Sequence, residues 1–301
     1  MLHQEDRHYQ MIFSPSITNK QFSLYFENRA NYKLENDEAS YDNEDTGVNF
    51  KFTFLENSVK AVNGNVVFTI DLICPHYFAV EADIELSYFV ERFKCRMIVP
   101  TRRKDQIPKD GFILDWNHRN ESSYATALKT ILKDDVMPSR PTEELAAIWK
   151  WNFSRDYLTD HLIKNDVFMP MIQFNDIAGS LQSVVVWPAH IRTIIPVVDS
   201  VVILRQHNNP TSRCSFIMDN TSYEICIATY SEARSVLEPY SKMDGNVMTS
   251  VSSLSDTVPA SVLNFANSLM PVTGKIGRVK MQCVLDKELV EKHGDNNRSK
   301  I

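Results

Sequence analysis

The chain has 301 residues, of which 43% are hydrophobic and 23% are charged, as in typical folded globular proteins. The formal net charge of −6 disfavours attraction of the whole molecule to nucleic acid or anionic membranes, although a local basic surface can still bind phosphate groups. Only 8 glycines are present, and the sequence lacks the glycine-loop motifs of nucleotide-binding sites and serine hydrolases.

The first third of the chain has a β pattern. Segments rich in β-branched and aromatic residues predict strands over 21–26, 48–55, 65–73, 78–89 and 93–99. Residues 50–54 alternate strictly between phenylalanine and a polar residue, which predicts one buried and one solvated sheet face. Because no helical pattern separates these segments, we expect an antiparallel sheet.

The middle of the chain has helical patterns. Apolar spacing predicts helices over 121–134, 143–151 and 155–164, with Asn120 as the N-cap of the first. Strands are then predicted over 167–174, 183–187, 197–206, 215–218 and 223–229, followed by a helix over 260–269 and a strand over 278–285. The predicted fold class is α+β: an N-terminal antiparallel β-rich part, central helices and a second mixed β/α part.

The β pattern gives way to helical patterns through a charged stretch, 102–109, that contains Pro108. We therefore predict a β-rich domain over 1–107 and a mixed α/β domain over 108–285. The residues after 285 are mostly charged or polar, and we expect 286–301 to form a flexible charged tail.

The cysteines indicate a reducing compartment, because they are odd in number, widely spaced and without a C-x-x-C pair; they are Cys74, Cys95, Cys214, Cys226 and Cys283. The first nine residues contain no apolar segment, so no secretory signal is predicted. The longest apolar stretch, 191–204, is too short and too interrupted to span a bilayer. We expect a soluble, cytoplasmic protein that does not bind membranes.

Basic residues concentrate around position 100 and are a candidate nucleic-acid-binding site. The members of this basic cluster are Lys94, Arg96, Arg102, Arg103, Lys104 and Lys109. Lysine and arginine at this density can hold phosphate groups of nucleic acid or of a nucleotide. Aromatic residues for stacking bases are few nearby, and a solvated strand followed by a loop is the alternative interpretation.

Asp115, His118 and Glu121 are candidate metal ligands, because they recur every three residues and carry oxygen or imidazole donors. On a helix the three side chains spread over an arc of about 120°, which is wide for one ion. A structural role for Glu121 in the first helical turn is favoured. We predict no bound metal and no cofactor.

Arg155 and His161 are separated by five residues in the segment RDYLTDH. This spacing resembles the R-x₄₋₆-H signature of HEPN ribonucleases, in which a helical arginine and histidine cleave RNA without a metal. The resemblance implies that Arg155 and His161 are catalytic and share a helix. It covers only seven residues, and the flanking sequence after Asp166 is β-rich, unlike the helical bundle of that family. A histidine packed on the apolar side of the helix is the alternative interpretation.

Asp199 lies within the apolar segment 197–202, where a carboxylate is costly unless it is paired or hydrogen-bonded. Buried acids often have perturbed pKa values and occur in active sites. Arg192 and Arg205 are candidate partners in a buried pair. The sequence therefore leaves a structural pair and a catalytic carboxylate open for Asp199.

Two classes of function follow, and the sequence does not decide whether the protein is an enzyme. The favoured class is a non-catalytic binding or assembly subunit of an intracellular complex with a protein partner or a second copy, in which Trp149 or Trp151 could contribute to an interface. The alternative is a nuclease or other phosphate-processing enzyme that uses the basic cluster with acidic or histidine residues. Low glycine and abundant asparagine suggest a bacterial or viral source.

Overall fold

The computed structural model describes residues 8–56, 65–98, 111–131, 137–162, 168–189, 191, 193–206, 215–218, 221–244, 247–250 and 259–294. The fold is α+β, with an N-terminal antiparallel sheet, central helices and then a mixed sheet, as predicted. The chain divides into a first unit, residues 1–149 with 282–301, and a second unit, residues 150–281. The predicted domain boundary between 107 and 108 lies outside the described residues.

The strands are β1 (His8–Ser14), β2 (Tyr32–Glu35), β3 (Glu38–Asp42), β4 (Asn49–Phe54), β5 (Val66–Asp71), β6 (Arg96–Ile98), β7 (Ser139–Arg140), β8 (Gln173–Ile177), β9 (Ser180–Pro188), β10 (Ile194–Pro196), β11 (Ser200–Gln206), β12 (Ser215–Met218), β13 (Thr221–Thr229), β14 (Ser241–Asp244), β15 (Val247–Ser250), β16 (Ile276–Val279) and β17 (Leu285–Asp286). The α-helices are α1 (Asn19–Phe26), α2 (Tyr77–Phe93), α3 (Phe112–Ile131), α4 (Thr142–Leu162), α5 (Tyr230–Leu237), α6 (Ala260–Ser268) and α7 (Lys287–Gly294).

The first unit contains a six-stranded antiparallel sheet in the order β2-β3-β4-β5-β1-β6. The predicted alternation in β4 is confirmed, since its three phenylalanines are buried while Lys51 and Thr53 are partly exposed. Helices α1, α2 and α3 all pack on the phenylalanine face, where aromatic ring centroids lie 5.1 Å apart for Phe26–Phe52 and for Phe52–Phe89, and 5.9 Å apart for Phe68–Phe112. The core of this unit is therefore built largely from aromatic rings.

Two predicted strands are helices. Residues 21–26 belong to α1, which Thr18 caps through a capping box with Gln21. Residues 78–89 belong to α2, whose buried residues include Phe78, Ala82 and Leu86, spaced one helical turn apart. The aromatic content of both segments favoured the strand prediction, but their apolar spacing places one face of a helix against the sheet.

The central helices also differ from their predicted bounds. Helix α3 begins at Phe112, so Asn120 lies inside the helix instead of capping it. Its buried side chain donates hydrogen bonds to the carbonyl oxygens of Leu72 (2.9 Å) and Cys74 (3.0 Å). Helix α4 is a single helix where two shorter ones were predicted.

The second unit contains a six-stranded mixed sheet in the order β12-β13-β11-β9-β8-β16. Strands β9 and β11 pair in parallel, and the other neighbours pair in antiparallel. Buried Val184, Val202, Leu204 and Tyr223 form one cluster of its core. The predicted strands over 183–187, 215–218 and 223–229 are confirmed within β9, β12 and β13.

The chain returns to the first unit at residue 282, and most of the predicted flexible tail that the structure describes is helical. Strand β17 pairs in parallel with β7, and α7 follows it. Leu285 packs in a cluster with Tyr124 and Leu128 of α3, which anchors this segment to the first unit. Residues 295–301 lie outside the described residues.

Candidate functional site

The most strongly buried acid of the described residues is Glu81, on α2 in the first unit, with no exposed surface. Its Oε1 accepts hydrogen bonds from the Tyr41 hydroxyl (2.7 Å), Asn43 Nδ2 (2.8 Å) and the Thr46 hydroxyl (3.2 Å). Its Oε2 accepts a hydrogen bond from Trp149 Nε1 (2.7 Å). These donors come from β3, from the loop that follows it and from α4, so the carboxylate joins three segments to α2.

No cation contacts Glu81 among the described residues, so neutral donors alone satisfy its charge. Burial raises the pKa of the Glu81 carboxyl above its ordinary value, and the hydrogen bonds from Trp149, Tyr41, Asn43 and Thr46 oppose that rise. With both oxygens occupied, this group stabilises the fold and offers no free atom for chemistry.

A second buried acid, Asp286 of β17, holds His76 at the start of α2. Asp286 Oδ1 lies 2.6 Å from His76 Nδ1, and Oδ2 accepts the His76 backbone N–H at 2.8 Å. The Thr142 hydroxyl at the start of α4 donates to Glu288 Oε2 at 2.5 Å and lies 3.2 Å from Asp286 Oδ1. In the described part of the chain no nucleophilic side chain is hydrogen-bonded to His76, and the pair joins the start of α2 to β17.

The face of the first sheet opposite α1, α2 and α3, here called the open face, has partly exposed side chains. Ile12 of β1 lies directly opposite Val67 of β5 and Ile98 of β6, so these three residues form a continuous apolar row across three strands. Toward the other end of this face an open depression of about 290 Å³ is lined by polar side chains; they are His8, Ser40, Asp42, Asn49, Lys51, Thr69 and Asp71. The open face thus combines an apolar row with a polar surround.

Lys94 and Arg96 of the basic cluster are exposed, Lys94 at the end of α2 and Arg96 on the edge strand β6. Arg92, in the last turn of α2, is exposed beside them. The other four members of the cluster, Arg102, Arg103, Lys104 and Lys109, lie outside the described residues.

The three candidate metal ligands on α3 do not converge. Asp115 Oδ2 accepts a hydrogen bond from the Tyr9 hydroxyl at 2.9 Å and pairs with Arg119 Nε at 3.2 Å. Glu121 pairs with Lys292 of α7 at 2.5 Å, and His118 is exposed. Among the described residues, no three His, Cys, Asp or Glu side chains are placed to hold a metal ion.

Arg155 and His161 both lie on α4, as the resemblance to HEPN ribonucleases implies. The Arg155 guanidinium is 3.9 Å from the Asp156 carboxylate. The His161 side chain lies outside the described residues, so its distance from Arg155 stays a matter of prediction. The second unit, which contains both residues, is built on a six-stranded sheet and not on a helical bundle.

Asp199 is exposed, in contrast to the burial expected from its apolar neighbours. Its Oδ2 accepts hydrogen bonds from the backbone N–H (2.8 Å) and the hydroxyl (3.1 Å) of Ser183, which fixes the start of β11 beside β9. Arg205, a predicted partner, instead forms a 2.5 Å ion pair with buried Glu224. The other predicted partner, Arg192, lies outside the described residues.

Trp149 and Trp151 are partly buried and use their indole N–H groups inside their own units. Trp149 donates to Glu81, and Trp151 donates to the carbonyl oxygen of Pro170 at 2.9 Å. Neither residue therefore presents the freely exposed ring that the sequence suggested for an interface.

Glu81 and the apolar row were missed by sequence reasoning. The signal for Glu81 was present, because Phe78, Ala82 and Leu86 repeat every four residues and indicate a helix with Glu81 beside its apolar side. The apolar row had no local signal, since its three residues come together only through strand pairing.

Comparisons with protein-family models, curated proteins and solved structures found no match. None of the described helices is both long and apolar enough to span a bilayer.

Proposed function

We propose that this protein is a non-catalytic binding or assembly subunit that docks a protein partner on the open face of its first sheet. The observation that carries the proposal is the apolar row of Ile12, Val67 and Ile98, partly exposed and bordered by polar side chains. An apolar centre inside a polar rim is the usual anatomy of a protein interface.

The contacts of the candidate catalytic residues also support a binding role. Asp115, Glu121 and Asp199 are each engaged in hydrogen bonds or ion pairs that fasten local structure. The alternative, a nuclease or other phosphate-processing enzyme, requires acidic or histidine side chains beside the basic cluster. Lys94 and Arg96, the two described members, contact no such side chain among the described residues.

Ile12→Arg tests the docking face, with Met270→Arg as the matched control because Met270 is 84% exposed and lies in the second unit. An unpaired charge at the centre of an apolar interface must be desolvated, so we expect Ile12→Arg to weaken partner capture at least about tenfold. Capture from lysate of the source organism, quantified by mass spectrometry, should be unchanged in Met270→Arg.

Val67→Lys is a second variant in the same row, and circular dichroism of each variant checks that it folds. Light scattering identifies the case in which the partner is a second copy, because Ile12→Arg would then convert a dimer to a monomer. The proposal would be contradicted if wild type, Ile12→Arg and Val67→Lys captured a partner equally. It would also be contradicted if the wild type were a monomer that captures no protein.

A further inference from the structure

We infer that the depression on the open face binds a small organic cation with two positively charged nitrogen atoms, such as an alkyl diamine. The depression has a volume of about 290 Å³. Three of the residues that line it, Asp42, Thr69 and Asp71, carry the inference and are here called the diamine site. The inference goes beyond the proposed protein docking and does not depend on it.

Strand pairing places the two acids of the diamine site in one row across the sheet. Asp42 of β3 lies opposite Asn49 of β4. Asn49 precedes Phe50, which lies opposite Ile70 of β5, and the same register places Asn49 opposite Asp71. Phe50 and Ile70 are buried on the helix-covered face, so the alternation along each strand puts both acids on the open face. Since neighbouring strands are about 4.8 Å apart, the two acids are separated by about 10 Å across the sheet.

Thr69 is the residue that points to a ligand. It is only 8% exposed, and it lines the depression two residues before Asp71 on the same face of β5. Its hydroxyl makes no hydrogen bond with any residue that the structure describes. A buried hydroxyl is normally hydrogen-bonded, because leaving it unpaired is costly. A ligand in the depression would supply the missing partner.

The carboxylate oxygens at the depression are available as hydrogen-bond acceptors. Asp42 is exposed, and its carboxylate makes no hydrogen bond or ion pair within the described part of the chain. Asp71 Oδ1 accepts the backbone N–H of Ile73 at 2.8 Å, whereas no described residue donates to Oδ2. An alkylammonium group carries a positive charge and three N–H donors, so it matches acceptors of this kind.

Lys51 also lines the depression, but Glu38 binds its ammonium group at 2.7 Å. Lys51 lies opposite Ser40 of β3, and Glu38 and Asp42 lie two residues from Ser40 in opposite directions along that strand. The ion pair therefore draws the positive charge of Lys51 toward Glu38 and away from Asp42. The two acids of the diamine site consequently keep their negative charge available for a ligand.

The spacing of the two acids favours a diamine over a metal ion. Ligand oxygens lie about 2.0–2.6 Å from a bound magnesium or calcium ion, so carboxylates on strands about 10 Å apart do not share one ion. Consistent with this, no three His, Cys, Asp or Glu side chains in the described ranges could hold a metal ion. A short alkyl chain with an ammonium group at each end can contact both acids, and the ammonium group beside Asp71 is also next to Thr69.

The test measures binding of cadaverine, a five-carbon diamine, to the full chain by isothermal titration calorimetry in 50 mM NaCl. We expect one cadaverine per chain and at least about tenfold weaker binding of pentylamine, which lacks the second charge. Asp42→Asn and Asp71→Asn should each weaken cadaverine binding at least about tenfold. Asp156→Asn is the matched control, because this side chain is 89% exposed in the second unit, and it should change binding less than about twofold.

Thr69→Val distinguishes a built site from general attraction of a dication to an acidic protein. Valine keeps the shape and the charge of the site but removes the hydroxyl, so we expect binding to weaken about tenfold. Thr69→Ser, which keeps the hydroxyl, should bind within about twofold of wild type. Thermal unfolding of each variant checks that the fold is intact.

The inference would be overturned by the absence of binding up to about 5 mM cadaverine, or by pentylamine binding as tightly as cadaverine. Equal losses in Asp156→Asn and Asp42→Asn, or equal binding by Thr69→Val and Thr69→Ser, would also overturn it. Displacement of cadaverine by an equal concentration of magnesium chloride would assign the site to an inorganic cation instead. Binding is measured on purified protein without a partner, so failure of the docking face leaves this result unaffected.

Discussion

Glu81 shows how a single side chain can connect segments that are distant in sequence. A buried carboxylate without a cation is costly, and here four neutral donors offset that cost. The donors themselves are satisfied by the carboxylate, so carboxylate and donors depend on one another. Removing the acceptor would leave buried hydroxyl, amide and indole groups unpaired.

Glu81→Gln should change the pH dependence of stability in a defined direction. Because burial raises the pKa of Glu81 in the folded state above its ordinary value of 4.5, wild type is favoured below that value and loses stability as rising pH ionises the buried group. Glutamine does not ionise, so the unfolding free energy of Glu81→Gln relative to wild type should rise between pH 4.5 and pH 8. Urea unfolding followed by tryptophan fluorescence measures it.

Glu91→Gln is the control for this experiment, since Glu91 is exposed on the same helix. Its stability should follow the pH dependence of wild type. An identical pH dependence in wild type and Glu81→Gln would show that Glu81 has the same pKa in the folded and unfolded states.

Contacts of individual side chains were the feature least predictable from the sequence. The partners of Glu81 lie 35 to 68 residues away, and no local pattern contains them. Asp199 illustrates the opposite error, because its apolar neighbours predicted burial while the turn before β11 leaves it exposed. Arg205 was a predicted partner of Asp199, but pairing of β11 with β13 places it opposite Glu224, with which it forms an ion pair.

Among the elements, α3 fastens the segment that follows β5. Trp116, Asn120 and Tyr124 are spaced one turn apart, and all three donate hydrogen bonds to backbone carbonyl oxygens of residues 71–74. This irregular segment is buried in part, and its carbonyl groups have to find donors outside a strand or helix. One face of α3 therefore supplies the hydrogen-bond donors that the backbone carbonyl groups of residues 71–74 need.

Asn120→Asp should lower the free energy of unfolding by about 2–3 kcal/mol, because a carboxylate cannot donate to the two carbonyl oxygens that the amide now binds. Asn117→Asp, an exposed position on the same helix, should change it by less than about 0.5 kcal/mol. Urea unfolding at pH 7 compares the two variants. Equal effects would mean that added negative charge on α3, and not the lost donor, sets the stability.

Whether a segment is a strand or a helix could be predicted where the spacing of its apolar residues fitted only one of the two. Alternation identified β4, and β-branched runs identified β9, β12 and β13, because each strand has a sequence period of two or a continuous apolar run. Helix α2 was misread, since its aromatic residues favour strands while its burial follows the helical period. The open face could be anticipated from β4, but its apolar row depends on a register that local sequence does not contain.

For the whole molecule, buried cysteines report on the two units separately. Cys74 and Cys95 are buried in the first unit and Cys226 in the second, whereas Cys283 is exposed. Burial raises the pKa of Cys74 well above its ordinary value and that of Cys95 to about 11, which suppresses the reactive thiolate.

Maleimide labelling at pH 7 with peptide mass spectrometry should therefore modify Cys283 in the native protein and leave Cys74, Cys95 and Cys226 unmodified. In increasing urea, Cys74 and Cys95 should become reactive at the same concentration, because they belong to one unit. Separate midpoints for these two thiols would show that the first unit does not unfold cooperatively. The midpoint of Cys226 measures the second unit on its own.

The return of the chain to the first unit at residue 282 sets the order of events during synthesis. Strand β7 ends at Arg140, and its partner β17 follows only after the whole second unit has been translated. At about 5–20 residues per second, a ribosome needs roughly 7–30 s to cover that interval. During this time neither Asp286, which binds the start of α2, nor Glu288, which accepts hydrogen bonds from Thr142 at the start of α4, has been made. The first unit therefore cannot complete its fold until the whole second unit has been translated.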